Sequence, residues 1–245
     1  MAGLITIIQA RMGSSRLPGK VLMPLIDEFS SLECMINRVL QSKYISRDNL
    51  IIATSELPQN EKINKECFKL GVKCFRGSEN NVLKRFYDAT KMVSGNIEYI
   101  IRLTADCPLH DPNVIDSFLD YFFINKVDYM SNTAIRSFPK GLDIEIMTKK
   151  SLEIAYQNAA LDSEKEHVTP YIRNNPDQFK IGNFTNDIDL SHHRWTLDYE
   201  DDYKMMCAVY KELYPENPNF KMMDVVKLLE ERTDIYEITA HLPRD

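Results

Sequence analysis

The usual marks of a disulfide-bonded, membrane-spanning or nucleic-acid-binding protein are missing from this 245-residue sequence. Its five cysteines are scattered and form no Cys-x-x-Cys pair, which argues against a zinc knuckle or a thioredoxin-type site and predicts free thiols in a reducing cytoplasm. No apolar run reaches the roughly 18 residues that a membrane helix needs. The net charge of −6 argues against a general nucleic-acid binder but leaves room for a local basic pocket.

Low-complexity tracts, linkers and repeats are also missing, so we expect one domain over residues 1–245. The first eight residues lack a basic leader and a cleavage site, and they read as a strand rather than a signal peptide. We therefore expect a cytoplasmic protein that makes no contact with a membrane.

Hydrophobic periodicity in the first half alternates between strands and helices. The pattern predicts strands at 4–10, 49–54, 72–75, 97–103 and 127–131, with helices between them that include one capped by Ser30 or Ser31 and one ended by Gly71. Such alternation predicts an α/β fold with a doubly wound, mostly parallel, Rossmann-like sheet, whose ligands bind beyond the carboxyl ends of the strands.

The second half is less regular and predicts a small inserted α+β lobe. Strands are expected at 143–147, 179–184 and 194–197, and helices at 151–160, 200–214 and 222–232. We expect a nucleotide-binding core at about 1–132 plus 185–245, and a lobe for an acceptor or for dimerisation at about 133–184.

The loop after the first strand is the most informative stretch. Between Arg11 and Lys20 it holds three cations, two hydroxyls and two glycines, which suits a triphosphate because phosphate oxygens need positive charges and closely approaching N–H donors. The glycine spacing matches neither a P-loop nor a dinucleotide-binding fingerprint. A solvated basic loop is the alternative interpretation.

A carboxylate follows the fourth strand, where it could hold Mg²⁺ over a bound nucleotide. Asp106 has this place, and a simple turn or cap is the alternative. Mg²⁺ usually takes one or two carboxylates, so a second carboxylate is expected from another part of the chain. The three acidic residues at 200–202 are better explained as the first turn of a helix.

The segment Ile8-Gln9-Ala10-Arg11-x-x-Ser14-x-Arg16-Leu17-Pro18-Gly19-Lys20 resembles the opening signature of the sugar cytidylyltransferases, above all the spore-coat SpsF-like branch. The resemblance implies a nucleotidyltransferase (GT-A-like) fold and catalytic roles for Lys20, Arg16 and Asp106. It implies Mg²⁺ ligation by Asp106 and Asp198. It implies a nucleotide site formed by Ala10, Arg11, Met12, Gly13, Ser14, Ser15, Arg16, Lys20, Arg76, Ser78, Arg85, Thr104 and Ala105.

Two further segments resemble the same branch and would line the acceptor side. They contribute Lys140, Asp143, Glu145, Glu166 and His167, of which Asp143 and Glu145 alternate onto one face of a strand while Glu166 and His167 open a helix. A structural ion pair or a dimer contact would explain these residues equally well. Cys107, Asn80, Asn81 and Tyr199 depart from the family pattern.

These observations and the resemblance predict a Mg²⁺-dependent enzyme that transfers CMP from CTP to a small anionic acceptor for surface glycan synthesis. Two alternatives remain open. One is a nucleotide-sugar glycosyltransferase of GT-A-like fold, for which Asp187-x-Asp189 is the candidate metal pair. The other is a non-catalytic nucleotide-binding partner in a glycan pathway. A homodimer is expected from the resemblance.

Overall fold

The computed structural model describes residues 3–243. Its strands are β1 (Leu4–Gln9), β2 (Pro24–Ile26), β3 (Phe29–Ser30), β4 (Leu50–Ser55), β5 (Lys73–Gly77), β6 (Tyr99–Thr104), β7 (Tyr129–Ser131), β8 (Glu145–Thr148) and β9 (Ile181–Asn183). Its helices are α1 (Ser31–Val39), α2 (Glu61–Leu70), α3 (Val82–Ala89), α4 (Pro112–Asn125), α5 (Lys149–Asn158), α6 (Asp162–His167), α7 (Pro170–Arg173), α8 (Glu200–Leu213), α9 (Met222–Glu231) and α10 (Thr233–Glu237). Short 3-10 turns occupy Lys20–Leu22, Pro58–Asn60 and Thr90–Met92.

Seven of these strands form one twisted sheet in the order β5-β4-β1-β6-β8-β7-β9. The first four pair in parallel, which confirms the predicted doubly wound arrangement. β8 runs antiparallel to both of its neighbours, so the sheet is mixed at this end. The carboxyl ends of β1 and β6 are adjacent, which places the loops that follow them side by side.

Alternate residues of β1 enter separate apolar cores on the two faces of the sheet. Leu4 and Ile8 belong to the core beneath α1, α4, α8 and α9, whereas Ile5 and Ile7 belong to the core beneath α3, α5 and α7. All four side chains are buried. This burial on both faces explains why the strand reads as a continuous apolar run.

Local capping signals are confirmed where the sequence showed them. Ser30 Oγ accepts from the Glu33 N–H at 3.1 Å, and Gly71 ends α2 with φ = 66°. Pro112 is the first residue of α4. None of the helices within residues 3–243 has the length and apolar character that crossing a bilayer demands.

The strand predicted at 194–197 is wrong. Arg194 makes a single parallel bridge with Lys140. The Trp195 N–H donates to the Lys140 carbonyl, whereas the Leu197 N–H donates to the Asp106 carbonyl, so no strand pairing continues. The two segments approach so closely that a Cβ on Gly141, which has φ = 111°, would lie 2.3 Å from the Trp195 carbonyl oxygen. This long-range contact, rather than any local pattern, determines the backbone path.

Two other expectations need correction. Glu166 and His167 end the short helix α6 instead of opening a helix. The hairpin of β2 and β3, which turns at Asp27 with φ = 49°, was not predicted because its strands are only three and two residues long. Both errors lie in segments too short to show a periodic pattern.

A buried histidine predicts a loss of stability in acid. His110 is 0% exposed, neither ring nitrogen has a hydrogen-bond partner within the described chain, and burial lowers its pKa to about 4. The unfolded state takes up a proton below the ordinary pKa of about 6.5 whereas the folded state does not, so stability falls as the pH drops from about 6.5 towards 4. At pH 5 the expected loss is about 2 kcal/mol.

Urea unfolding of the wild type and of His110→Leu at pH 7.5 and pH 5 measures this loss. The wild type should lose about 2 kcal/mol more than the variant between the two pH values. His241→Asn, which removes an exposed histidine, is the control and should behave like the wild type. Equal pH dependence of the wild type and His110→Leu would contradict the prediction.

Candidate active site

The loop after β1 is fixed by its own backbone and by one buried side chain. The Met12 N–H donates to Asn60 Oδ1 at 2.8 Å, and the Met12 carbonyl accepts from the Gly19 N–H at 2.9 Å. Gly19 has φ = 75°, a conformation that disfavours any side chain. The loop therefore closes on itself and delivers Lys20 to the cleft while Arg11 and Arg16 stay half exposed.

Lys20 lies between two carboxylates. Its ammonium group donates to Asp106 Oδ2 and to Asp198 Oδ1, both at 2.8 Å. The lysine side chain is 10% exposed, whereas 28% of the Asp106 side chain faces solvent. Asp106 and Asp198, which lie 86 and 178 positions from Lys20 in the sequence, thus converge on one cation.

A backbone contact aligns the two carboxylates. The Leu197 N–H donates to the Asp106 carbonyl at 2.7 Å, which ties the segment before α8 to the end of β6. Asp198 follows directly, and its N–H donates to Asp202 Oδ2 at 2.8 Å. The position of Asp198 therefore depends on Asp202 as well as on Asp106.

Asp202 forms a buried ion pair beneath the site. Arg194 donates from Nε to Asp202 Oδ1 at 2.8 Å and from a terminal nitrogen to Oδ2 at 2.9 Å, and the side chains are 1% and 0% exposed. The Tyr199 N–H also donates to Asp202 Oδ2, at 2.8 Å. The predicted role of Asp202 in the first turn of α8 is confirmed and extends to holding the turn that carries Asp198.

Arg16 also contacts this turn. Its guanidinium lies 3.1 Å from Asp198 Oδ2 and donates to the Tyr199 hydroxyl at 3.4 Å. Its central carbon also lies 5.0 Å from the centre of the Tyr199 ring, within range of a cation–π contact. Tyr199, which departs from the family pattern, thus helps to place Arg16.

Charge pairing dominates the ionisation of the lysine and its first partner. Burial lowers the pKa of Lys20, but attraction to Asp106 and Asp198 outweighs it, so the net pKa is raised. For Asp106, burial raises the pKa, but Lys20 together with hydrogen bonds from Thr104 and the backbone lowers it by more. Both groups are consequently charged at neutral pH.

These side chains line a cavity of about 260 Å³ at the carboxyl ends of β1 and β6. Most of the predicted nucleotide and metal residues meet there, together with two of the predicted acceptor residues. The cavity is lined by Gln9, Ala10, Arg11, Ser14, Ser15, Arg16, Lys20, Val21, Val82, Arg85, Thr104, Ala105, Asp106, Glu166, His167 and Asp198.

Five predicted residues lie outside both this cavity and the one described below. Met12 and Gly13 belong to the loop backbone, and Lys140 pairs with the chain near Arg194. Arg76 pairs with Glu61 and donates to nearby carbonyls, while the Ser78 hydroxyl accepts from the Asn81 N–H at 3.1 Å.

Arg85 is a buried cation that lines the first cavity. It is 3% exposed, it donates to the Ser78 carbonyl at 2.9 Å, and its Nε has no partner within the described chain. Burial lowers its pKa to about 10. Gln9, whose buried Oε1 also lacks a partner there, was assigned no role, although it stands in the segment that carries the family resemblance.

A second cavity, of about 420 Å³, adjoins the first and shares Thr104 and His167 with it. Arginines give it a cationic character. It is lined by Arg102, Thr104, Thr133, Arg136, Asp143, Glu145, His167, Thr169 and Arg173.

Both acidic residues of the second cavity are bonded to arginines. Arg136 donates two hydrogen bonds to Asp143, at 2.6 and 3.0 Å, and Arg102 pairs with Glu145 across β6 and β8. Glu145 also accepts from Thr169 at 2.7 Å. Burial raises the pKa of Glu145, but Arg102, Arg173 and the hydrogen bonds from Tyr129 and Thr169 together outweigh it, so the net pKa is lowered.

The family assignment comes from comparison with known sequences. The family model for cytidylyltransferases matches residues 5–237. This chain belongs to the cytidylyltransferase family.

Two relatives resemble this cytidylyltransferase over nearly its whole length. The spore coat polysaccharide biosynthesis protein SpsF of Bacillus subtilis is 36% identical over 239 residues, which cover 96% of this chain and 97% of SpsF. The solved structure of a cytidylyltransferase from Leptospira borgpetersenii is 34% identical with a TM-score of 0.88, covering 95% of this chain and 96% of that one. These matches confirm the resemblance that the first loop indicated.

A more distant structure shares the fold of this cytidylyltransferase. CMP:2-keto-3-deoxy-manno-octonic acid synthetase, solved in complex with CTP, is 17% identical with a TM-score of 0.63. The alignment covers 86% of this chain and 100% of the synthetase. The nucleotidyltransferase fold predicted from the sequence is confirmed.

The two carboxylates of the cytidylyltransferase site suit a hard divalent cation. Asp106 and Asp198 already converge on the Lys20 ammonium, which stands where a cation could bind. Within residues 3–243 no group of three or more histidine, cysteine, aspartate or glutamate side chains could enclose a metal ion. The site therefore offers two carboxylates and leaves further coordination to a substrate, as Mg²⁺ prefers.

The second cavity contains the functional candidates that sequence reasoning missed. Arg102, Thr133, Arg136, Thr169 and Arg173 were assigned no role, although Arg102 stood in the segment that carries Asp106. Its register partner Glu145 could have revealed it, since opposite charges often face each other on antiparallel strands. The other four residues come from turns and short helices, and no pattern in the sequence shows that these segments lie together.

Proposed function

We propose that this protein transfers CMP from CTP to a small anionic acceptor and releases pyrophosphate, as a step in the synthesis of a surface polysaccharide. The observation that carries the proposal is the convergence of Lys20, Asp106 and Asp198 at the adjacent ends of β1 and β6. The name of the relative SpsF supports the pathway, and the CTP complex of the distant synthetase supports the nucleotide.

In the proposed reaction an acceptor oxygen attacks the α-phosphorus in line, and pyrophosphate leaves. Such a transfer depends on positioning and on neutralising charge more than on covalent catalysis. Arg11, Arg16 and Lys20 supply the positive charge, and the loop hydroxyls of Ser14 and Ser15 supply donors. We assign Lys20 and Arg16 to the stabilisation of the departing pyrophosphate.

Asp106 and Asp198 are the residues that would hold Mg²⁺. When bound, the ion would offset the negative charge of the phosphate oxygens. Lys20 is then free to turn from the carboxylates towards phosphate, since its long side chain carries a mobile charge.

The acceptor is assigned to the second cavity. Its three arginines outnumber its two acidic residues, so a carboxylate or phosphate group on the acceptor finds unused donors there. Asp143 and Glu145 act through these arginines by orienting them. The division into a nucleotide core and a lobe at 133–184 stays a proposal; most residues of the second cavity come from that lobe, and Arg102 and Thr104 come from the core.

Ligand-induced thermal stabilisation tests the nucleotide. CTP, ATP, GTP, UTP and UDP-sugars are each compared with and without Mg²⁺, because a ligand at 100 times its Kd stabilises the folded state by about 2.7 kcal/mol. Selective, Mg²⁺-enhanced stabilisation by CTP is expected, followed by pyrophosphate release with an acceptor. Stabilisation by a UDP-sugar alone would favour glycosyl transfer, and no stabilisation by any nucleotide would overturn the proposal.

Replacing Lys20 should weaken nucleotide binding. A charge-assisted hydrogen bond contributes about 1.5–3 kcal/mol, so Lys20→Gln should raise the Kd for a non-hydrolysable CTP analogue about 10- to 100-fold in isothermal titration calorimetry. Lys43→Gln, which removes an exposed lysine paired with Asp120, is the matched control. Unchanged CTP affinity and an unchanged reaction rate in Lys20→Gln would contradict the proposed role of the loop in binding the nucleotide.

A further inference from the structure

His167 lies on the wall between the two cavities. It lines both of them, as Thr104 does, and its side chain is exposed to the cleft. Among the described residues that line either cavity, it is the one imidazole. Imidazole is also the side chain that exchanges a proton most readily near neutral pH.

A strained turn fixes this position. The Thr169 N–H donates to the His167 carbonyl at 2.8 Å, and Val168 between them has φ = 70° and ψ = −52°. These angles define the rare form of γ-turn, which is unfavourable for a β-branched residue. Such strain persists where the surroundings impose it, and it is concentrated at functional sites.

The surroundings hold the turn on both sides. The Val168 side chain is 0% exposed, and Thr169 Oγ1 donates to the buried Glu145 at 2.7 Å. At the other end of α6, Glu164 Oε2 accepts from the N–H groups of Ala160 and Leu161 at 2.9 and 3.0 Å. His167 is consequently carried by a helix that is fixed at both ends.

All the other carboxylates that line the cavities, except Glu166, are already bonded to cationic side chains. In the second cavity, Glu145 and Asp143 are bonded to Arg102 and Arg136, and Arg173 adds a further positive charge. In the first cavity, the acidic residues are Asp106 and Asp198, bonded to Lys20, and the exposed Glu166. The remaining charged residues there are Arg11, Arg16 and Arg85. Glu166 lines the first cavity but not the second.

We propose that His167 is the general base of the transfer and that the acceptor is an anion that reacts through a hydroxyl group. The imidazole takes the hydroxyl proton while the oxygen forms its bond to the α-phosphorus of CTP. The bond from that phosphorus to the bridging oxygen breaks, and pyrophosphate leaves with the electron pair. The inference rests on the proposed function and deepens it, since a phosphate or phosphonate nucleophile is already ionised and needs no base.

The pH dependence of His167 variants tests the proposal. Conversion of α-labelled CTP to CMP and its esters is followed in single turnovers, with N-acetylneuraminate, ketodeoxyoctonate, aminoethylphosphonate or water alone as the nucleophile. His167→Asn and His167→Gln should lower the rate with hydroxyl nucleophiles about 10²- to 10⁴-fold and abolish the acid limb of the pH profile. The Kd for CTP should stay within about twofold, and added imidazole should restore activity to His167→Ala.

Two further variants separate the possible outcomes. His241→Asn, which changes a residue outside both cavities, should keep the wild-type rate. If Glu166→Gln loses the acid limb of the pH profile and the His167 variants keep it, the proposal is overturned. If the wild type is active and His167→Asn reacts at a rate within threefold of the wild-type rate, the proposal is overturned as well. A wild type that releases no pyrophosphate with any nucleophile, water included, would instead overturn the proposed function.

Discussion

Asp106→Asn is expected to lower kcat by about two to three orders of magnitude while the protein stays folded. The carboxylate lies at the end of β6, faces the cleft and is paired with Lys20. Asparagine keeps the shape but removes the charge that would hold a divalent cation and orient the lysine. Steady-state release of pyrophosphate from CTP measures the effect, and circular dichroism verifies the fold.

The control for this variant tests the competing assignment. Asp189→Asn alters the exposed Asp187-x-Asp189 pair, which lies outside both cavities. It should retain the wild-type rate. Full activity in Asp106→Asn, with Mg²⁺ dependence preserved, would contradict the proposed site. Loss of activity in Asp189→Asn alone would support a glycosyltransferase.

Asp202→Asn is expected to cause the largest loss of stability. Removing one partner of a fully buried ion pair leaves the other charge uncompensated and costs about 3–5 kcal/mol. Here that charge is the guanidinium of Arg194, which is 1% exposed and would keep only a longer contact with a carboxylate, that of Asp198 at 3.5 Å. For a chain of this length the loss corresponds to a decrease in Tm of roughly 10 °C.

The neighbouring residue provides the matched control for Asp202→Asn. Asp201 is 34% exposed and pairs with Lys204 at 2.8 Å, so Asp201→Asn should change stability by less than about 1 kcal/mol. Differential scanning calorimetry compares the two variants. A Tm for Asp202→Asn within about 2 °C of the control would show that the buried pair contributes little.

The first half of the fold could be predicted because its signals are local. Buried strands such as β1 and β4 appear as continuous β-branched runs, and Ser30 and Gly71 mark helix ends. The first loop revealed its role because its cations and glycines are contiguous in sequence. Asp106 required one further step, namely the rule that ligands gather at the carboxyl ends of parallel strands.

The rest of the site depends on contacts between distant segments. The irregular path at Trp195 is imposed by Gly141, and no local pattern shows that contact. The second cavity likewise combines Arg102 on β6 with Thr133, Arg136 and Arg173 from separate turns and helices. Sequence reasoning assigned Glu145 to the acceptor side but missed the arginine that faces it.

The strand β6 contributes to both cavities, which has a consequence for the size of the acceptor. Arg102 lines the second cavity and Thr104 lines the wall between the two, and residues two apart on a strand share one face about 7 Å from each other. The distance from Arg102 to the boundary with the nucleotide is therefore set by two steps of a strand that stays paired with β1 over this length. An acceptor whose acidic group lies about this far from its reactive oxygen could contact Arg102 and present that oxygen to the α-phosphorus at the same time. Molecular length, as well as charge, thus becomes a criterion by which this protein selects its second substrate.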